Sequence, residues 1–129
     1  MTTTFGFTKL VVGDLEKMKS FYTNVFGLKQ FDRIRADIGI DPIDEIMLGR
    51  DSAFGPGSLV LLRFPELAPP RPGAVILGFI TDDLQALLDR IVANGGRIHA
   101  AIKDIPEMKV RVAFAKDPEG NIAELVQQI

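Results

Sequence analysis

Few side chains in this sequence can do chemistry, and those few narrow its function. The absence of cysteine excludes disulfides, thiolate nucleophiles and Cys-ligated zinc together. His99 is the single histidine and could act as an acid or base near neutral pH. With no cysteine and no evident serine partner, a triad-type nucleophile is disfavoured, and a surface or rim position is the simpler expectation for His99. Tyr22 follows Phe21 inside a helical apolar pattern and reads as a core aromatic. Acids gather in the stretch from Asp37 to Asp51 (Asp37, Asp41, Asp44, Glu45 and Asp51), alongside Gly39 and Pro42, but without the fixed Asp-x-Asp-x-Asp-Gly spacing of a calcium loop. A solvated, mobile loop is expected there. Gly55-Pro56-Gly57 and Gly95-Gly96 lack the Lys-Ser/Thr of a phosphate-binding loop and read as turns.

The elements that must position these residues come in two sets. Gly13-Asp14-Leu15 opens a helical pattern that closes at Gly27, and Asp82-Asp83-Leu84 opens another that closes at Gly95-Gly96. Equivalent positions lie 69 residues apart (84 − 15 and 96 − 27), too long for a solenoid repeat and long enough for a helix with several strands. In the first half, Phe5 to Val12 reads as a strand, Asp14 as a helix N-cap, Leu15, Met18, Phe21-Tyr22 and Val25-Phe26 as the buried helix face, and Gly27 as its left-handed end. Strands are expected over Leu28 to Arg35, Glu45 to Leu48 and Ser58 to Phe64. The order restarts after a proline-rich linker from Pro65 to Gly73. Ala74 to Ile80 is a strand, and Asp83 to Asn94 is a helix with Leu84, Leu87-Leu88 and Ile91-Val92 inward. Three more strands cover Arg97 to Lys103, Val110 to Ala115 and Ile122 to Gln127, the last two joined by a type I turn at Asp117-Pro118-Glu119-Gly120. The fold class is therefore α+β: a single domain over 1–129 made of two βαβββ modules, about 1–66 and 73–129, joined by the linker 65–73.

Composition excludes whole classes of partner. The 129 residues are 47% hydrophobic and 25% charged with a net charge of −2, which suits one globular domain and gives no overall field to hold nucleic acid or an anionic membrane. There is no run of about 20 apolar residues, and Met1-Thr2-Thr3-Thr4 carries no basic, apolar leader pattern, so a cytoplasmic protein acting on a small molecule is expected.

Gly13-Asp14-Leu15, Phe21-Tyr22 and Phe26-Gly27-Leu28, taken with Asp117-Pro118-Glu119-Gly120-Asn121 and Glu124-Leu125, resemble the vicinal oxygen chelate superfamily of glyoxalase I, bleomycin-resistance proteins and extradiol dioxygenases. The resemblance covers nearly the whole chain. It implies that each module curls its sheet into a half-barrel, that the pair makes a ligand-binding cup, and that the protein is a homodimer. Catalytic members of that family hold a metal with one ligand near the start of each module's first strand and one on each last strand, usually His or Glu. Here those positions fall at Phe7, Ile76, Leu61 and Glu124, and only Glu124 offers a lone pair to a cation. One carboxylate is too little to hold a divalent metal against water, so no cofactor is expected. Val60 and Leu62, on either side of Leu61, are apolar too.

Strand alternation then extends the implied lining. If Phe7 faces the cup, so do Phe5 and Lys9; Leu61 brings Leu59 and Arg63; Glu124 brings Val126. Apolar walls with one acid and two bases suit a small, largely apolar ligand, and the two bases could pair with a carboxylate or phenolate on it. Glu124 is the candidate general base, and Lys9 or Arg63 would stabilise developing negative charge. Glu124 paired with Lys9 or Arg63 in a purely structural role is the competing expectation. Two functions follow: a metal-independent isomerase, cyclase or lyase, or a protein that sequesters its ligand without turnover. A metal-dependent lyase or dioxygenase with ligands from elsewhere ranks third.

Overall fold

Asp14 starts the first helix because its carboxylate accepts the amide of Lys17 at 3.0 Å, and Gly27 ends it because only glycine takes φ +70° without strain. The structure is a computed structural model and describes residues 2–129. The chain divides into two compact units, Met1–Pro70 and Arg71–Ile129, and the division falls inside the proline-rich stretch. The order within each is βαβββ, as the repeat predicts.

In the first unit, β1 (Phe7–Val11), α1 (Leu15–Phe26), β2 (Lys29–Ile38), β3 (Asp41–Gly49) and β4 (Ser58–Arg63) form a sheet of order β1-β4-β3-β2. β1 runs parallel to β4, and the other pairs are antiparallel. Leu15, Met18, Phe21, Tyr22 and Val25 of α1 are buried together with Leu10, Ile46, Leu59 and Leu61 of the sheet. Tyr22 is a core aromatic as expected, its ring 5.6 Å from that of Phe26 and 5.2 Å from that of Phe21. The acidic stretch departs from expectation. It is not a loop: β2 and β3 form a hairpin whose turn is Gly39-Ile40, with Gly39 at φ +60°. Pro42 is accommodated because it lies at the second residue of its strand, where a missing amide costs little.

The second unit repeats the plan with β5 (Ile76–Ile80), α2 (Leu84–Ala93), β6 (Arg97–Ile105), a 3₁₀ turn at Pro106–Met108, β7 (Val110–Lys116) and β8 (Ile122–Gln128), in sheet order β5-β8-β7-β6. Asp83 caps α2 through the amide of Ala86 at 3.1 Å. Leu84, Leu87, Leu88 and Ile91 are buried, whereas Val92, expected inward, is exposed because it falls beyond the edge of the apolar stripe. At the turn before β8 the buried Asp117 carboxylate accepts the amides of Glu119 and Asn121 and the side-chain amide of Asn121, each at 2.9 Å. The amide of Gly120 donates to the Asp117 carbonyl, closing the expected turn.

Candidate functional site

Register assigns each candidate to a face. In the first unit Phe7 pairs with Ser58, Lys9 with Val60 and Val11 with Leu62, while Leu62 pairs with Glu45 and Val60 with Met47. Paired residues share a face, so Phe7, Lys9, Ser58, Val60, Leu62, Met47 and Glu45 lie on the side away from α1. An ion pair bears this out: Lys9 Nζ donates to Glu45 Oε2 at 2.9 Å, with the Glu45 side chain only 7% exposed. Phe5 precedes β1 and is exposed.

The same register corrects the fourth strand. Leu59, Leu61 and Arg63, expected on the face of Phe7, share the α1 side with Leu10, Ile46 and Asp44. Arg63 accordingly lines a cavity of about 370 Å³ with Asp14, Glu16, Arg33 and Asp44 at the start of α1. There Arg33 grips Asp44 in a two-point contact, Nε to Oδ1 at 3.1 Å and Nη2 to Oδ2 at 2.9 Å, and reaches Glu16 at 2.6 Å. The hydrogen bonds to Asp44 and Glu16 raise the Arg33 pKa, and the bond from Arg33 holds the Asp44 carboxyl below its ordinary value.

In the second unit Ile76 pairs with Ile122, Gly78 with Glu124 and Ile80 with Val126, and Phe114 pairs with Glu124 from the other side. Ile76, Gly78, Glu124, Val126 and Phe114 therefore share the face away from α2, as alternation predicts for Ile76, Glu124 and Val126. The opposite face carries Gln127, whose Oε1 accepts the first amide of α2 at 2.8 Å. Glu124 is half-buried and makes no hydrogen bond or ion pair among the described residues. Within the first unit Lys9 is bound to Glu45, and Arg63 lies on the α1 side of its sheet. His99 is exposed at a bulge of the edge strand β6, between the paired residues Ile98 and Ala100, with β7 separating it from β8. Two strand spacings, roughly 10 Å, lie between those backbones.

The internal repeat relates the positions that the resemblance implies for a metal. Phe7 corresponds to Ile76, and their cross-strand partners are Ser58 and Ile122; two residues on, Val60 corresponds to Glu124. Within the repeat the first-unit counterpart of Glu124 is thus Val60, next to the expected Leu61. At the four positions that the resemblance implies, Phe7, Val60 and Ile76 are hydrocarbon and Glu124 alone carries an oxygen donor, a set of residue types that does not fit a divalent metal. Among the described residues no group of three or more His, Cys, Asp or Glu side chains is placed to hold a metal ion.

Sequence reasoning missed Glu45 as a site residue. Its signal was the acid pair Asp44-Glu45 flanked by Ile43 and by Ile46-Met47-Leu48, on the strand beside β4.

These two βαβββ units define the glyoxalase-like α+β class. Over residues 4–125 the chain matches the profile of the Glyoxalase/Bleomycin resistance protein/Dioxygenase superfamily and belongs to it. A probable lactoylglutathione lyase from Vibrio parahaemolyticus is 29% identical over 131 residues, covering 93% of this chain and 87% of that protein. A glyoxalase family protein from Bacillus cereus superposes with a TM-score of 0.79 at 19% identity, covering 94% of this chain and 91% of that one. A point variant of glyoxalase I from Zea mays superposes with a TM-score of 0.77 at 24% identity, covering 94% of this chain but 44% of the maize chain. The two superpositions establish the fold, and this chain spans less than half of the maize protein.

Proposed function

We propose that this protein is a metal-independent acid–base enzyme of the isomerase, cyclase or lyase type, acting on a small, largely apolar molecule with Glu124 as the general base. One observation carries the reading. Glu124 is the sole oxygen donor among the four positions, it stands among the apolar Ile76, Phe114 and Val126, and nothing in the described residues neutralises it. A carboxylate of that kind accepts a proton from a bound carbon or oxygen acid. The kinship to lactoylglutathione lyases supports lyase-type chemistry in general. The missing ligands argue against the same substrate handled in the same way.

A second reading, ligand sequestration without turnover, is favoured by a specific observation. Arg63, one of the two expected cations, lies on the α1 side of its sheet with Asp14 and Asp44, and Lys9 already shares its charge with the buried Glu45. A metal-dependent lyase or dioxygenase remains third, because it would need ligands beyond the four positions.

The test uses EDTA-treated protein in D₂O with small aromatic and carboxylic compounds first selected by thermal shift, followed by NMR. Deuterium exchange into a bound compound, lost by a factor of about 10²–10⁴ in Glu124→Gln with binding retained, supports the enzyme. Binding without exchange supports sequestration. Exchange that is absent in the EDTA-treated protein and appears when metal is added overturns both.

A further inference from the structure

We propose that the first unit carries a ledge for a planar aromatic anion, in which Phe7 and Phe54 take the ring and Lys9 takes the negative charge. Phe7 and Phe54 lie with centroids 4.8 Å apart at 39°, and Phe31 meets Phe54 edge-on at 5.5 Å. Despite these contacts Phe7 stays 43% and Phe54 51% exposed, so the rings present an aromatic surface to water.

The position of Phe54 follows from the backbone. The Gly55 amide donates to Ser58 Oγ at 3.1 Å and the Ser58 amide donates to the Gly55 carbonyl at 3.0 Å, fixing the end of the β3–β4 connection. Ser58 is the cross-strand partner of Phe7, so this turn delivers Phe54 beside Phe7. A cavity of about 390 Å³, lined by Arg50, Asp51, Phe54 and Ser58 among others but not by Phe7 or Lys9, adjoins the ledge at Phe54 and is large enough for a small ligand.

The charge comes from Lys9, whose Nζ is 5.9 Å from the centre of the Phe7 ring. Its bond to the buried Glu45 fixes the ammonium and leaves two of three donors for a ligand. Arg50 makes no ion pair among the described residues and adds a second cation at the cavity; Asp51 is the one carboxylate in its lining. A flat ring bearing a carboxylate satisfies both surfaces, whereas an aliphatic acid lacks the ring and a neutral arene lacks the charge. The inference rests on the reading that the protein handles a small molecule and names a class for it, but it does not depend on Glu124, which belongs to the other unit.

The probe is 2-naphthoate, whose fluorescence can be followed because the chain has no tryptophan. Saturable binding is expected, weakened about tenfold by Phe54→Leu and by Lys9→Met, with the neutral 2-naphthamide binding weakly and indifferent to Lys9→Met. Phe54→Leu keeps the test valid if Lys9→Met fails to fold, since Phe54 is half-exposed on a loop and its loss should leave the melting temperature unchanged. Four results overturn the proposal: no saturation, unchanged affinity in Phe54→Leu, equal binding of the amide, or a change of oligomeric state in Phe54→Leu that marks the ledge as an interface between copies. Naphthoate binding without deuterium exchange would keep the ledge and remove the acid–base reading; exchange without naphthoate binding would do the reverse.

Discussion

Lys9 of β1 and Glu45 of β3 reach across β4 to form an ion pair of 2.9 Å on the face of the first sheet away from α1. The two ends differ in burial, with 35% of the Lys9 side chain exposed against 7% for Glu45. Loss of Lys9 strands a buried carboxylate, while loss of both members leaves apolar neighbours able to close up. Lys9→Met is therefore expected to destabilise by about 2–3 kcal/mol and Lys9→Met with Glu45→Leu by less than either single change, as measured in a urea double-mutant cycle. Additive losses would show that the pair is energetically inert.

Asp44 predicts the acid response. Its bidentate bond from Arg33 holds the carboxyl below the ordinary value of 3.8, with smaller contributions from Arg35 and Arg63. A carboxyl depressed in the folded state contributes stability above its unfolded pKa and loses it as pH falls through the folded one. Asp44→Asn should thus be less stable than the natural chain above pH 5, and the gap should shrink as pH drops below about 4. A gap that does not depend on pH would mean that Asp44 acts through packing rather than charge. The arginine is exposed enough that added salt should narrow the gap as well.

Alternation could be read from the sequence on some strands and not on others, and this explains which residues could be assigned to a face. β1 and β8 alternate between buried and accessible residues, so Lys9 and Glu124 could be assigned to a face from sequence. Ser58 to Leu62 are buried in succession, and a continuous apolar strand carries no parity; Leu61 was therefore taken for the face that Val60 occupies. Glu45 was hidden by a different ambiguity. Asp41, Pro42 and Asp44 resemble loop chemistry, yet the hairpin is held by Ile43 and Ile46 packing inward, a tertiary effect that local propensity does not register. The caps Asp14, Gly27 and Asp83 and the turn at Asp117 were legible because each rests on local hydrogen bonds or a single dihedral.

That turn is also a stability prediction. Asp117 is buried, and its carboxylate takes two backbone amides and one side-chain amide at 2.9 Å. Asp117→Ala leaves those donors without an acceptor and should cost about 3 kcal/mol in chemical denaturation. Asp117→Asn, which can still accept at one oxygen, should cost roughly half of that. If the Ala variant melts with the natural chain, the turn is held by Pro118 and Gly120 alone and the recurrent Asp is not structural.

The proposed function makes a prediction about metal. At the positions that the resemblance implies for metal ligands, Phe7, Val60 and Ile76 are hydrocarbon and Glu124 is the one oxygen donor. Removing three ligands cannot be offset by one carboxylate, whose exposed-site affinity for such an ion is too weak to compete with water. Purified protein is accordingly expected to show no melting-temperature change with EDTA, Ni²⁺, Zn²⁺ or Mn²⁺ at stoichiometric levels, and no lactoylglutathione lyase activity when any of them is added. Stoichiometric metal in the natural chain, with a melt that chelator lowers, would overturn the metal-independent reading and direct the search to ligands outside the four positions.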